Sequence, residues 1–515
     1  MQFEQVKENF RSQIPAFAEK ARAFAVGEVD RKSYKGFSGG FGSYAQRGET
    51  GHMLRLRLAG GHVTMPQLAF IANCAAEYGV QRMKITTCQT IQLHDLTAQQ
   101  TAELMEKAVD VDIVTKGGGG DNPRNVMVSP LSGFTADEPF DVRPVAEAAA
   151  RYLLGRIDEV HMPRKLKVAF CNDAADEVHA AMRDLGFLAR RDGTFDVYCA
   201  GGLGPNPKLG VKVAEGLRPE DAAYAIEAMI AVFCEHGNYE NRAKARTRYL
   251  QETLGAEGLK AAFAAALARV KAGPDLALHF EPWTPAKAAD GELALPMTRV
   301  TAQKQPGLYA VEYHPAGGVL AGEAVRRLYE TVKDFAQAEL RLRPDGGLYV
   351  VNLTTREAQA VLAATPDSAA SAFERSTSCI GAATCQQGVR DSQSLLAACI
   401  AAVREAGIQD GALPRIAVSG CPSSCGAHQA CGMGFVGGVK VIEKVAHPAF
   451  TLFLGGSAAQ GAEGLGTPVC TMLQDDVPAF LVELGRTVQA SGRTYAQWAA
   501  QNGEALRALA GKYAK

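Results

Sequence analysis

Leu54, Leu56 and Leu58 alternate with Arg55 and Arg57, the period-two pattern of a strand with one apolar and one basic face. A Gly60-Gly61 pair follows. Leu68, Ile71, Ala72, Ala75 and Tyr78 then recur at i, i+3, i+4 spacing, which predicts a helix lying with one face on a sheet, and residues 83–93 read as the next strand region. The same order returns at an offset of about 257 residues: a strand at 309–313, Gly317-Gly318, a helix, and strands at 340–343 and 348–351. A second echo follows each copy. Residues 166–170 after Pro163-Arg164 match 416–419 after Pro414-Arg415, and 195–202 match 450–456.

A repeat this long signals duplication of a domain pair rather than a solenoid. The chain is therefore expected to be α+β and pseudo-twofold, with its ligand between the halves. Residues 221–237, with Ile226, Met229, Ile230 and Phe233 on one face, read as a helix, and the proline-rich stretch around 273–297 as a linker.

Composition narrows the classes. At 515 residues, 47 % hydrophobic and 21 % charged, the chain has material for several packed lobes, and a net charge of −1 gives no long-range pull toward nucleic acid or an anionic membrane. The basic run 241–248 has no aromatic interleaving, so a structural or cofactor-edge role is expected there rather than RNA binding. No basic leader followed by an apolar stretch opens the chain and no long apolar run occurs, so a cytoplasmic location without membrane contact is expected.

Of twelve cysteines, eight are scattered and read as unlinked thiols. The other four are ordered as Cys379-x5-Cys385 and Cys421-x3-Cys425. Four thiolates on two short loops can close on a soft centre, an iron–sulfur cluster or Zn2+; the x5 gap is wide for structural zinc, and packed inert thiols remain the third reading. The segments 379–385 and 420–429, with glycines at 432, 434 and 437 beyond them, resemble the cluster loops of the siroheme-dependent sulfite and nitrite reductases. That resemblance runs from about residue 36 to near the C-terminus. It implies a [4Fe–4S] cluster on Cys379, Cys385, Cys421 and Cys425, with Cys425 also bridging to siroheme iron. It also implies two ferredoxin-like half-domains and two siroheme/cluster-binding α/β lobes, divided as 1–50 (N-terminal arm and Gly-rich loop), 51–115 (half-domain), 116–272 (lobe), 273–300 (linker), 301–368 (half-domain) and 369–515 (lobe and C-terminal helices).

Read alone, Arg55/Arg57 and Lys165/Lys167 are basic faces of half-buried strands, and the four glycines 117–120 before Arg124 are a turn. Carried over from the resemblance, Arg57, Arg124, Lys165 and Lys167 are the cations that hold the substrate anion and feed it protons. The resemblance also implies siroheme contacts at Thr87, Gln89, Gln92, Asn125 and Arg164. One position departs. Cys88 stands where the family's Thr-Thr-Arg-Gln segment has arginine, and a neutral thiol does not replace a bidentate guanidinium. Either Arg82, Lys84 or a cation of the C-terminal half is the expected substitute, or the macrocycle sits differently.

The implied activity is six-electron reduction of sulfite to sulfide, with nitrite to ammonium as the alternative on the same scaffold. Lys167 favours sulfite, because nitrite-specific relatives tend to carry Asn there. No flavin or nicotinamide fingerprint is present, so a separate donor, a ferredoxin or a flavoprotein, is expected. Cys88 motivates a different class, a siroheme-free electron-transfer protein, and a corrin-pathway oxygenase relative is the third reading.

Overall fold

The computed structural model describes residues 3–48 and 51–514. It contains four five-stranded sheets that form two matched pairs. The first central sheet orders its strands Ser43–Ala45, His52–Leu56, Ile91–Leu96, Arg82–Ile85 and Val319–Ala321; the second orders them Val300–Ala302, Tyr309–Tyr313, Leu348–Leu353, Glu339–Leu342 and His62–Val63. Each sheet thus ends on a strand from the other half. Val319 pairs with Lys84 and Leu340 with Val63, so the two copies are interleaved rather than merely adjacent.

The Gly-Gly turns make the exchange possible. Gly60 and Gly61 have φ of 62° and 68°, Gly317 and Gly318 have 57° and 72°, and a Cβ on Gly318 would lie 2.5 Å from the Lys84 Nζ. An L-residue would be strained and too large there.

The two outer sheets also match each other. Met127–Val128, Val168–Cys171 and Leu185–Ala189 run parallel and continue antiparallel into Phe195–Cys199 and Val211–Leu217. Thr377–Ser378, Ala417–Ser419 and Met433–Ile442 repeat this, continuing into Val445–Leu454 and Thr467–Leu473. The α+β duplication expected from the periodicity is what the chain adopts.

Two segments differ from expectation. The N-terminal region is not an arm: helices Phe3–Arg11, Ile14–Ala25 and Arg31–Ser38 bury Phe10, Phe17, Phe24 and Tyr34 in the same core as Leu54, Leu56 and Leu68. Residues 273–297 lack regular elements but are pinned at both ends. Leu276, Leu278 and Phe280 pack on the first outer lobe, while Leu293 packs on the central core and donates its N–H to Tyr309 Oη at 2.8 Å. Among the described residues no helix is long and apolar enough to cross a membrane.

Candidate active site and cofactor cavity

Strand alternation does at 54–58 what the pattern requires: the leucines enter the central core, and Arg55 and Arg57 face a cavity of about 910 Å³. Leu166 and Val168 likewise enter the first lobe's core, leaving Lys165 and Lys167 on the cavity wall. Of the described residues, twelve lysines and arginines line this space against one carboxylate, Asp121. Asp121 is already engaged, by Arg164 at 2.6 Å and Arg242 at 2.7 Å. The cavity therefore holds buried positive charge that the chain does not neutralise.

The cations differ in what holds them. Arg57 donates to the carbonyls of Lys116, Pro123 and Arg124 at 2.9–3.0 Å, so its guanidinium fastens the glycine loop to the strand. Arg124 donates to the carbonyls of Gly118 and Gly120, and its Nε has no partner. Burial pulls Arg57 down to about 9 and Arg124 to about 10, which leaves both charged at neutral pH. Lys165 has no hydrogen bond or ion pair among the described residues. Burial, with Arg246 and Arg124 nearby, holds its ammonium well below the ordinary lysine value.

Lys167 lies beside Cys88. The Cys88 charge supports the ammonium, but burial, Arg183 and Arg246 outweigh it and the net shift is downward. For Cys88 the balance runs the other way: burial opposes ionisation, yet Lys167 and Arg183 pull the thiol down to about 6. A thiol lowered to that value is largely ionised at neutral pH, with Lys167 and Arg183 as its cationic neighbours.

All four cysteines of the quartet border the same cavity. Cys379 Sγ receives the Gly420 N–H at 3.1 Å and lies 3.1 Å from Ser392 Oγ. Cys425 is exposed, but to the cavity rather than to bulk water. Burial and the neighbouring Cys379 and Cys421 push it up to about 12, and Cys385 is raised by burial. No three or more described His, Cys, Asp or Glu side chains converge at single-ion spacing.

Thr87, Gln92, Asn125 and Arg164 line the cavity. Thr87 Oγ1 donates to the Cys425 carbonyl at 2.9 Å, tying the central sheet to the cysteine loop, and Asn125 Nδ2 donates to the Cys88 and Gln89 carbonyls. Gln89 does not line it. Its Nε2 donates to the carbonyls of Val128 and Leu342 at 2.8 Å and its Oε1 accepts from Val128 N at 2.9 Å. Fully buried, it is a clamp joining three segments, and with both N–H donors spent it has none left for a cofactor carboxylate.

Neither Arg82 nor Lys84 is free to substitute at position 88. Arg82 pairs with Asp95 and donates to Thr384, and Lys84 donates to the Ile85 and Gly317 carbonyls. Sequence reasoning missed Arg183 and gave Arg246 no specific role. Arg246 anchors on Asp184 at 2.9 Å from the basic run, which forms two single 3-10 turns, Arg242–Lys244 and Thr247–Tyr249, rather than a solvated helix. The run itself signalled Arg246; an isolated arginine after Met182 gave no pattern to read.

Among the described residues, the equivalent positions of the second half carry paired charge instead. Glu312 and His314 stand where the repeat places Arg55 and Arg57, and Arg343 pairs with Glu312 and Asp345 at 2.8 Å while Arg415 pairs with Asp345 at 3.0 Å. Duplication supplied two frames, and paired charge fills one of them.

The model of the nitrite and sulphite reductase 4Fe-4S domain matches residues 119–271 and 370–506, and that of the nitrite/sulfite reductase ferredoxin-like half domain matches 44–111. The chain belongs to the nitrite and sulphite reductase family. It is 28 % identical to a ferredoxin–nitrite reductase of Synechococcus elongatus over 84 % of this chain and 86 % of that one. It is 24 % identical to sulfite reductase [ferredoxin] 2 of Mycolicibacterium paratuberculosis over 87 % and 81 %. The solved structure of Mycobacterium tuberculosis NirA protein superposes with a TM-score of 0.78, at 21 % identity and 96 % coverage of both chains, and so shares the fold.

The cofactors of this family are siroheme and a [4Fe–4S] cluster, and the residues present fit both. Siroheme is a polycarboxylate, which suits a cavity of uncompensated cations. The cluster suits four thiols on the wall of that cavity.

Proposed function

We propose that this oxidoreductase reduces sulfite to sulfide in the basic cavity. The observation that carries the reading is the pair Lys165 and Lys167 on that wall with no carboxylate partner. Taking sulfur from +4 to −2 consumes six electrons and seven protons and yields hydrosulfide and three waters. Siroheme and the cluster supply the electron storage that side chains lack. Cys379, Cys385, Cys421 and Cys425 would hold the cluster, and Thr87, Gln92, Asn125 and Arg164, with Cys425, would border the tetrapyrrole.

The side chains contribute charge and protons. Arg57 keeps the glycine loop and Arg124 in place, so that Arg124, Lys165 and Lys167 present a fixed positive field to a dianion, and fixed charges need no reorganisation during reaction. Even with Cys88 ionised beside Lys167, Lys165, Arg124 and Arg183 leave the excess positive. An ammonium held below its ordinary value, as at Lys165, gives up its proton readily and regains it through water. A ferredoxin is the donor that the relatives' names support.

Nitrite reduction to ammonium is the second reading, favoured by the relative at 28 % identity being a nitrite reductase. With reduced viologen as donor, kcat/KM for sulfite and for nitrite on one preparation separates the two: sulfite is expected to be higher. A chlorin-type red absorption band from the anaerobically purified protein is expected as well, and its absence would favour the electron-transfer reading.

A further inference from the structure

Arg183 is a buried arginine without a carboxylate. It follows the one-turn segment Ala180–Met182, its backbone N–H is held by the Ala180 carbonyl and its own carbonyl by Gly201 N. Its Nε donates to the Val178 carbonyl at 2.8 Å, Nη2 has no partner, and the residue forms part of the cavity wall at 6 % exposure. Asp184 next to it cannot serve, since that carboxylate accepts from Arg246, Thr247 and the Lys167 N–H. Leaving a buried guanidinium half-satisfied is costly unless something else completes it.

Of the other candidate cations, Arg82 has Asp95, Lys84 has two carbonyls and Lys167 has Cys88, while Lys165, which has no partner among the described residues, is assigned above to the substrate. Arg183 shares Cys88 as a neighbour.

We infer that Arg183 binds a siroheme carboxylate and supplies, from the first outer lobe, the cation that Cys88 does not supply from the central sheet. The inference rests on the siroheme reading above. A planar fork held at Nε is preorganised for a bidentate carboxylate contact. Cys88 then has a role of its own, as a small anion that keeps Lys167 and Arg183 from repelling each other.

The test measures extractable siroheme, iron and acid-labile sulfide per chain in purified wild type, Arg183→Gln, Arg183→Lys and the double variant Cys88→Arg/Arg183→Gln. Arg183→Gln is expected to lose siroheme about tenfold with cluster iron retained, Arg183→Lys to lose less, and the double variant to regain most of it. Wild-type siroheme content and release rate in both single variants would overturn the inference. If Arg183→Gln loses its cluster too, Arg183→Lys decides, and wild-type retention there overturns it. Failure of the double variant to regain siroheme refutes the exchange between positions 88 and 183. A wild type with cluster iron but no tetrapyrrole refutes the siroheme reading itself, a separate result.

Discussion

Lys167→Asn tests the substrate assignment most directly. Lys167 sits on the cavity wall with Cys88, and more weakly Cys425, as its anionic neighbours. At an effective dielectric of ~20, two unit charges ~4 Å apart attract by ~4 kcal/mol. Two effects reduce what the substitution removes: Cys88 already screens the ammonium, and once Lys167 is gone the thiol has less reason to stay ionised, which returns part of the lost positive charge. A net loss of ~3 kcal/mol on a dianion, about a hundredfold in kcat/KM, is the expected size, and it is also the usual cost of deleting one preorganised contact. Nitrite carries half the charge, so its loss should be ~1.5 kcal/mol, about tenfold. The assay follows sulfide and ammonium with reduced viologen on one preparation, normalised to siroheme content so that cofactor loss is not counted as lost catalysis. Equal losses on both substrates would refute the charge argument, and a wild-type preference for nitrite would refute the sulfite assignment while leaving the family intact.

Cys379→Ser, Cys385→Ser and Cys421→Ser should each abolish acid-labile sulfide and most bound siroheme, because the thiols line the cavity proposed for the tetrapyrrole; unchanged iron and sulfide in all three would refute the ligand set. Gln89→Ala should lower unfolding stability by ~3 kcal/mol in urea titrations, since it strands the Val128 N–H and two buried carbonyls, at ~1 kcal/mol each; a loss confined to siroheme would instead make it a cofactor contact. Cys88 in siroheme-free protein should be alkylated by iodoacetamide with a midpoint near pH 6. Its folded value lies below the unfolded one, so its stabilisation is complete above the unfolded thiol value near 8.5 and fades as pH falls through about 6. Cys88→Ser should flatten that part of the stability–pH profile, and an alkylation midpoint above 8 would remove the ion pair with Lys167 and Arg183.

Local pattern determined much of this protein. The period-two leucines at 54–58 and the helical spacing at 68–75 state which side of each element is buried, and an offset repeat of strand, Gly-Gly, helix and strand states that the fold occurs twice. These rules act over a few residues, so they can be read before any tertiary contact is known. The alternation even separated cavity-facing Arg55, Arg57, Lys165 and Lys167 from core-facing Leu54, Leu56 and Leu166.

Tertiary structure alone decided the rest, because it concerns which distant groups become neighbours. Nothing in residues 62–63 or 319–321 announces that they complete each other's sheets, since edge pairing depends on where the partner edge lies. Gln89 sits in a motif that suggests a ligand contact, yet backbone carbonyls from two other segments take both its N–H donors. Arg183 has no periodic company and becomes visible only when burial removes water from it and folding brings Cys88 and Lys167 alongside. Charge in particular escapes local reading: a side chain's protonation and its freedom to bind an anion depend on which residues surround it, and those come from parts of the chain hundreds of positions apart.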